Sequence, residues 1–246
     1  MTRSKVAAII PARWASTRFP GKPLIPLAGK PLVQHVWERC QAARGVDEVI
    51  IATDDMRIAT AAFAFGAEVS FTSPRCRSGT DRVAEAAARM PRASHVINVQ
   101  GDEPLIDPAL ITLLARTLVK DPAIEMITAA NAVAGHDEAA NPHSVKVVLD
   151  RSSNALYFSR SPIPFYRDAG DAPRYYRHQG IYGYSRKFLL QFVKWKPTFL
   201  EKAESLEQLR ALENGAKIRV LITRSVSLGV DTPEDVGPVS QLLKSS

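Results

Sequence analysis

The first 121 residues alternate short apolar runs with segments of helical period, and that rhythm leaves few architectures open. VAAII (6–10), EVIIAT (48–53), AEVSFT (67–72) and HVINV (95–99) read as buried strands. Between the first two, Val33, Val36, Trp37 and Cys40 fall at i, i+3, i+4 and i+7, the stripe of an amphipathic helix, and Gly45 stands where a C-terminal cap belongs. The spacing predicts further helices over 55–66, 78–90 and 108 to about 121. Strand and helix alternating at this interval imply right-handed βαβ units and a mostly parallel sheet.

After about residue 125 the rhythm changes. EMITAANAV, SVKVVLD and ALYFSRSPIPF follow one another closely as extended segments, with turn chemistry at Asn141-Pro142 and Ser152-Ser153-Asn154, so this half is expected to be mixed and partly antiparallel. The stretch 166–177, YRDAGDAPRYYR, reads as a polar loop. Behind it come a strand in GIYGYS, a helix in RKFLLQFVKW, a continuous helix over 203–215 capped by Gly215, and a strand in KIRVLIT. No internal repeat or low-complexity tract interrupts the chain, and 46% hydrophobic content in 246 residues suffices for one domain with a substantial core.

In an open parallel sheet, ligands bind beyond the carboxyl ends of the strands, where helix N-termini offer free N–H groups. Four chemically loaded segments follow strands: RWASTRFPGKPL (13–24), CRSGTDR (76–82), VQGDEP (99–104) and LGVDTPEDV (228–236). Each alone could be an ordinary turn, since Gly, Pro, Asp and Ser are turn residues. The first, however, puts Arg13, Arg18 and Lys22 on a constrained loop, and that cation density suggests an anionic ligand. Neither G-x-x-x-x-G-K-[ST] nor G-x-G-x-x-G follows the first strand, which excludes a P-loop NTPase and a classical dinucleotide binder. Cations on a loop, a Ser-Gly-Thr helix start at 78–80 and two separated aspartates, Asp102 and Asp231, are equipment for Mg2+ with a nucleoside triphosphate and transfer at phosphorus.

Composition narrows the classes further. A formal charge of +7 fits nucleic acid, a membrane surface or a small polyanion. The two cysteines, Cys40 and Cys76, form no C-x-x-C pair and no zinc-ligand pattern, so a reducing cytoplasm is expected. The apolar run after MTRSK stops at Pro11, too short for a signal peptide, and no stretch approaches the roughly eighteen apolar residues of a membrane span.

The series IIPARWASTRFPGKPL, SGTDR, VQGDEP, NPHSVKVVLD, ALYFSRSPIP, RHQGIYGY, LEQLR and GVDTPED, in order from residue 6 to about 236, resembles that of the 3-deoxy-manno-octulosonate (Kdo) cytidylyltransferases. The resemblance implies a Rossmann-like α/β fold of the nucleotide-diphospho-sugar transferase type with a smaller mixed lobe. It implies a single domain over 1–246, with a CTP-binding half to about 124 and a sugar-binding, dimerising half from about 125. Arg13, Ser16, Arg18 and Lys22 would line the triphosphate, with Lys22 and Arg13 stabilising charge in the transition state. Ser78, Gly79, Thr80 and Arg82 would surround cytosine and ribose, with Gln100 and Gly101 nearby. Asp102 and Asp231 match the Mg2+ ligands, and Arg160, His178, Tyr182, Glu207 and Gln208 match the Kdo contacts.

Each sugar-side residue has an ordinary alternative: Arg160 on the surface, His178 as a structural hydrogen-bonder, Glu207 as a helix-surface partner of Arg210. Tyr157, Phe158, Tyr184 and Trp195 read as packing. One departure is Cys76, where the family pattern leads one to expect histidine in H-x-S-G-T; a thiol at a helix start can have a lowered pKa, but a small half-buried side chain is the simpler reading. The family forms homodimers, which makes 155–195 the expected interface. Activation of another acidic sugar, sialic acid or 8-amino-Kdo, would use the same first half. A nucleic-acid binder would need an aromatic-basic stripe, which the sequence lacks.

Overall fold

The structure is a computed structural model, and it describes residues 5–15, 19–134, 136–167 and 174–245. Strand β1 (Lys5–Ala12) runs into a loop holding a 3-10 turn, Lys22–Leu24, and a short hairpin of β2 (Pro26–Leu27) and β3 (Lys30–Pro31). Then come α1 (Leu32–Ala42), β4 (Glu48–Thr53), α2 (Met56–Ala64), β5 (Glu68–Phe71), α3 (Gly79–Ala88), β6 (Ala93–Asn98) and α4 (Pro108–Lys120). The second half adds β7 (Met126–Ala134), α5 (His136–Ala140), β8 (Lys146–Leu149), β9 (Ala155–Ser159), β10 (Arg174–Ser185), α6 (Arg186–Phe192), α7 (Phe199–Glu204), α8 (Gln208–Glu213), β11 (Ile218–Thr223) and α9 (Val236–Ser245).

The main sheet runs β11-β7-β10-β6-β1-β4-β5, with β8 on β10 and β9 on β8. Every strand on that path is parallel except β10, which is antiparallel to both β6 and β7. The mixed lobe is β8, β9 and the first part of β10. The chain leaves β1 toward β4 on one side and later takes up β6 on the other, so the switch point lies between β1 and β6.

The unbroken apolar run of β1 has a plain cause, because both faces of the sheet are covered. Val6, Ala8 and Ile10 pack with Val33, Val36 and Leu114, from α1 and α4. Ala7 and Ile9 face the other way, into the core of Val83, Ala87, Phe188 and Leu209. Asp55, Ser78 and Asp107 cap α2, α3 and α4 by accepting from backbone N–H groups at 2.9, 3.1 and 2.8 Å. Gly215 takes positive φ just beyond α8, as expected of a cap, whereas α1 ends on Ala43 and Gly45 takes its positive φ two residues further on.

Two expectations are corrected. The last four residues of the supposed polar loop, 174–177, open β10, because they pair with β7 and bury Tyr175 against Val133 and Ala139. The helix expected over 203–215 is two helices. The first starts earlier, on a Thr198–Glu201 capping box, and ends where Ser205 turns left-handed with φ of 53°, before α8 begins after Glu207. Helices α5 and α9 had no forecast; α9 packs Val239 into the core beside α1 and α4.

Gly183 lies where β10 crosses α4. A Cβ there would stand 2.7 Å from both Ile127 Cγ2 and Leu118 Cδ1. Overpacking of this kind costs about 1–3 kcal/mol. Gly183→Ala should therefore lower the unfolding free energy by that amount, seen as a fall in the urea midpoint at unchanged m-value, and an unchanged midpoint would show that the core yields there.

Candidate active site

Trp14 and the segment from Gly21 to Leu24 are held by the protein's own contacts. Gly21 N–H donates to Trp14 O at 3.0 Å, and Gly21 holds φ of 73°, with the indole edge 3.1 Å from where a Cβ would stand. The Arg57 guanidinium lies 3.5 Å over the Trp14 ring, a cation–π contact. Gly21 O accepts from Leu24 N–H at 2.9 Å and so starts the 3-10 turn that carries Lys22. Its ammonium donates to Asp102 Oδ2 at 2.5 Å and lies 3.7 Å from Asp231 Oδ1.

Those aspartates are 129 positions apart in the chain, and a backbone contact joins them: Val230 N–H donates to Asp102 O at 2.9 Å. Asp235 Oδ2 pins the far loop by accepting from the N–H groups of Asp231 and Thr232, both at 2.8 Å. On the near side, a Cβ on Gly101 would stand 2.6 Å from Pro11 O, so only glycine lets the loops after β1 and β6 approach this closely. Beside Asp102, burial pushes the Glu103 carboxyl up to about 7; the charges of Asp102 and Asp231 add to the rise and a Ser227 hydrogen bond opposes it.

These loops and the start of α3 enclose a cavity of about 390 Å³, whose lining includes Arg13, Lys22, Gln100, Gly101, Asp102 and Asp231. Ser78, Gly79 and Arg82 line it too. The Arg82 guanidinium is buried and held by Asp54 Oδ1 at 3.2 Å and by Thr72, an arrangement that leaves it a wall of the cavity. Thr80 is not among the lining residues. Its hydroxyl donates to Glu207. Ser16 and Arg18 lie outside the described residues.

The sugar-side candidates split. Glu207 sits at the break between α7 and α8, where it accepts from Ser78 Oγ at 2.9 Å, from Thr80 Oγ1, and from Arg210 Nη2 at 3.3 Å. It thus pairs with Arg210 and also faces inward, across 129 positions, to the start of α3. His178 and Tyr182 flank a bulge in β10 at Gly180 and Ile181 that lets Gly180 O accept from Gln100 Nε2 at 3.2 Å. Thr128 Oγ1 donates to Ile181 O at 2.7 Å, so the 2.9 Å contact to His178 Nε2 has the imidazole as donor. Burial pushes His178 down to about 3, which leaves it a neutral hydrogen-bonder. Gln208 is buried, and its Nε2 has no hydrogen-bond partner among the described residues.

Arg160 stands apart from the nucleotide cavity. Its guanidinium donates to Glu204 O at 2.8 Å, Pro142 O at 3.0 Å and Ser205 O at 3.5 Å. These carbonyls hold a half-exposed side chain. Tyr184 and Phe158 are core, as their sequence context suggested. Sequence reasoning missed Asp54, Glu103, Glu201 and Asp235. Only the T-P-E-D spacing, a capping-box pattern, could have signalled the last.

Fold and cavity together fit the class of nucleotidyltransferases, with the candidate cavity at the switch point of the sheet. The chain matches the family described as Cytidylyltransferase over residues 7–218. It is 51% identical to the 3-deoxy-manno-octulosonate cytidylyltransferase of Geobacter sulfurreducens, covering 97% of this chain and 99% of that one. It is 49% identical to that of Myxococcus xanthus, over 100% and 99%. A solved CMP:2-keto-3-deoxy-manno-octonic acid synthetase complexed with CTP superposes with a TM-score of 0.94 at 44% identity, covering 98% of this chain and 99% of that one. The chain belongs to the 3-deoxy-manno-octulosonate cytidylyltransferase family.

Cys76 is no nucleophile. Its thiol donates to Glu85 Oε2 at 3.3 Å, and burial, followed by the Glu85 hydrogen bond, pushes it up to about 11. In native protein at pH 8, Cys76 should react with a disulfide reagent on the order of a hundredfold more slowly than a free thiol. Buried Cys40 should not react at all until denaturant is added. A fast native thiol would refute this.

Proposed function

We propose that the chain transfers CMP from CTP to Kdo, giving CMP-Kdo and diphosphate. The observation that carries this reading is the convergence of Lys22, Asp102 and Asp231 at the switch point, with the Glu207 cluster bonded to the helix start that walls the same cavity. Arg13 and Lys22 meet the triphosphate, and Lys22 stabilises charge on the departing diphosphate. Ser78 and Gly79, with Gln100 and Gly101, form the wall for cytidine. The pair of carboxylates suits a hard cation: both are oxygen donors at the cavity, and they already share one cationic partner in Lys22. Asp102 and Asp231 would hold Mg2+, which when bound neutralises phosphate charge and polarises the α-phosphorus.

Transfer is a direct in-line displacement by the anomeric 2-hydroxyl of Kdo. Both candidate nucleophiles in the lining are committed elsewhere, Ser78 to Glu207 and Cys76 to Glu85, which argues against a covalent enzyme intermediate. For the sugar, Gln208 offers an uncommitted buried donor, Glu207 an acceptor, His178 and Tyr182 neutral polar groups, and Arg160 the positive charge that an acid sugar calls for. The product would serve lipopolysaccharide biosynthesis in the cytoplasm. Among the described residues no helix is long and apolar enough to cross a membrane. A homodimer through 155–195 is supported by Leu156 and Phe165, large apolar side chains that are 62% and 88% exposed.

The test is diphosphate release with four nucleoside triphosphates crossed against Kdo, 8-amino-Kdo and sialic acid. CTP with Kdo should win, ATP and GTP should fail, and a better rate with another acid sugar would reassign the substrate. EDTA should abolish turnover, and Asp102→Asn or Asp231→Asn should each cost on the order of a hundredfold or more in kcat. Full activity in EDTA would overturn the metal assignment.

Arg160→Ala and Gln208→Ala should raise the KM for Kdo or lower kcat. The loss is about 1.5–3 kcal/mol, roughly ten- to more than a hundredfold, with CTP affinity by calorimetry staying within about threefold. Arg160→Ala weakening CTP alone would move that residue to the nucleotide side.

A further inference from the structure

We infer that Arg210 and Glu201 are positioning residues for sugar recognition: together they hold the Glu207 carboxylate in place between the two halves of the active site. The inference rests on the reading of Glu207 as a Kdo contact. Arg210 is buried and binds Glu201 through two contacts, Nε to Oε2 at 2.8 Å and Nη2 to Oε1 at 2.5 Å. The same Nη2 reaches Glu207 Oε1 at 3.3 Å, and the guanidinium carbon lies 4.9 Å over the Phe192 ring. Only a planar fork can grip one carboxylate with two donors while presenting an edge to a second.

Glu201 is itself anchored. It completes the capping box of α7 by accepting from Thr198 N–H at 3.1 Å, so the fork is referenced to the start of that helix. Arg210 sits on α8, beyond the left-handed turn at Ser205. The pair therefore clamps the break in which Glu207 stands, a place where no continuous helix fixes the side chain. On the far side Ser78 and Thr80 donate to Glu207, and Ser78 simultaneously caps α3. An unclamped Glu207 would lose its aim at the sugar while the nucleotide wall keeps its own cap.

Electrostatics agree. Burial raises the Glu207 carboxyl; the Thr80 and Ser78 hydrogen bonds and then the Arg210 charge lower it, while Asp81 on α3 raises it. Tyr182 and Tyr184 of β10 face it as neutral phenols held protonated by burial. Lys194, Lys196 and Lys202 line the neighbouring cavity with it, as does Arg77. Removing Arg210 leaves burial and Asp81 less opposed, so Glu207 takes up a proton at a higher pH and the sugar loses an ionised acceptor there.

The experiment measures kcat and KM for CTP and for Kdo from pH 5.5 to 9 in the parent, Arg210→Met, Arg210→Lys and Glu201→Gln, with melting temperatures for each. Arg210→Met should raise the Kdo KM about tenfold or more, leave the CTP KM within about threefold, and move the acid limb of kcat/KM for Kdo to higher pH. Arg210→Lys, which keeps the charge without the fork, should restore the acid limb and leave the Kdo KM raised. If Arg210→Met does not fold, Glu201→Gln decides, with an expected threefold or larger rise in the Kdo KM. A lowered melting temperature with parental Kdo kinetics and an unmoved acid limb would overturn the inference, as would equal rises in both KM values. Failure of the parent to use Kdo would instead overturn the substrate reading.

Discussion

The site depends on a single contact between loops, in which Lys22 places its ammonium between Asp102 and Asp231. Like charges brought this close repel unless a cation is shared, and here the cation is delivered by a turn whose own geometry is set by Gly21 and Trp14. The Val230 to Asp102 backbone bond then fixes the approach in the direction the charges do not control. Three separate segments, after β1, β6 and β11, are thereby referenced to one point at the carboxyl ends of parallel strands.

Strand β10 solves a different problem. A parallel sheet alone would send every chemically useful loop to the same edge from the same side. Because β10 enters antiparallel, His178 to Ile181 lie beyond the end of β6 and so beside the VQGDEP loop, and Tyr182 pairs with the last residue of β6. The bulge at Gly180 and Ile181 frees one carbonyl for Gln100, which stitches the strand to the nucleotide loop. The candidate residues of β10 and those of the VQGDEP loop are thus tied to one sheet.

How much of this was legible follows from which forces are local. Strand β4 was read to the residue, and β1, α3 and α4 closely, because buried strands of a covered sheet are continuous apolar runs and because Asp and Ser caps announce helix starts. The α7–α8 break was not, since Ser205 has no glycine-like signature and 203–215 has good helical character throughout. Asp102 and Asp231 stood out in the loops that carry them, but no spacing rule reveals that Val230 bonds to Asp102. The partners of charged groups were the least visible: Asp54 for Arg82 and Glu201 for Arg210 are long-range choices made by packing.

Those partnerships bear on what the cavity can bind. Arg82 faces the site already paired with Asp54, and Lys22 is shared by two aspartates, so four cations, counting Arg13 and Arg77, stand against three carboxylates. A triphosphate brings about four negative charges near neutral pH, well beyond that surplus. Desolvating it in so balanced a cavity would be unfavourable unless further positive charge enters with the nucleotide. On the proposed reading, the two carboxylates that look like a cost to anion binding would hold that charge. On the same reading Lys22, which lines the cavity beside both aspartates, would meet the phosphates directly.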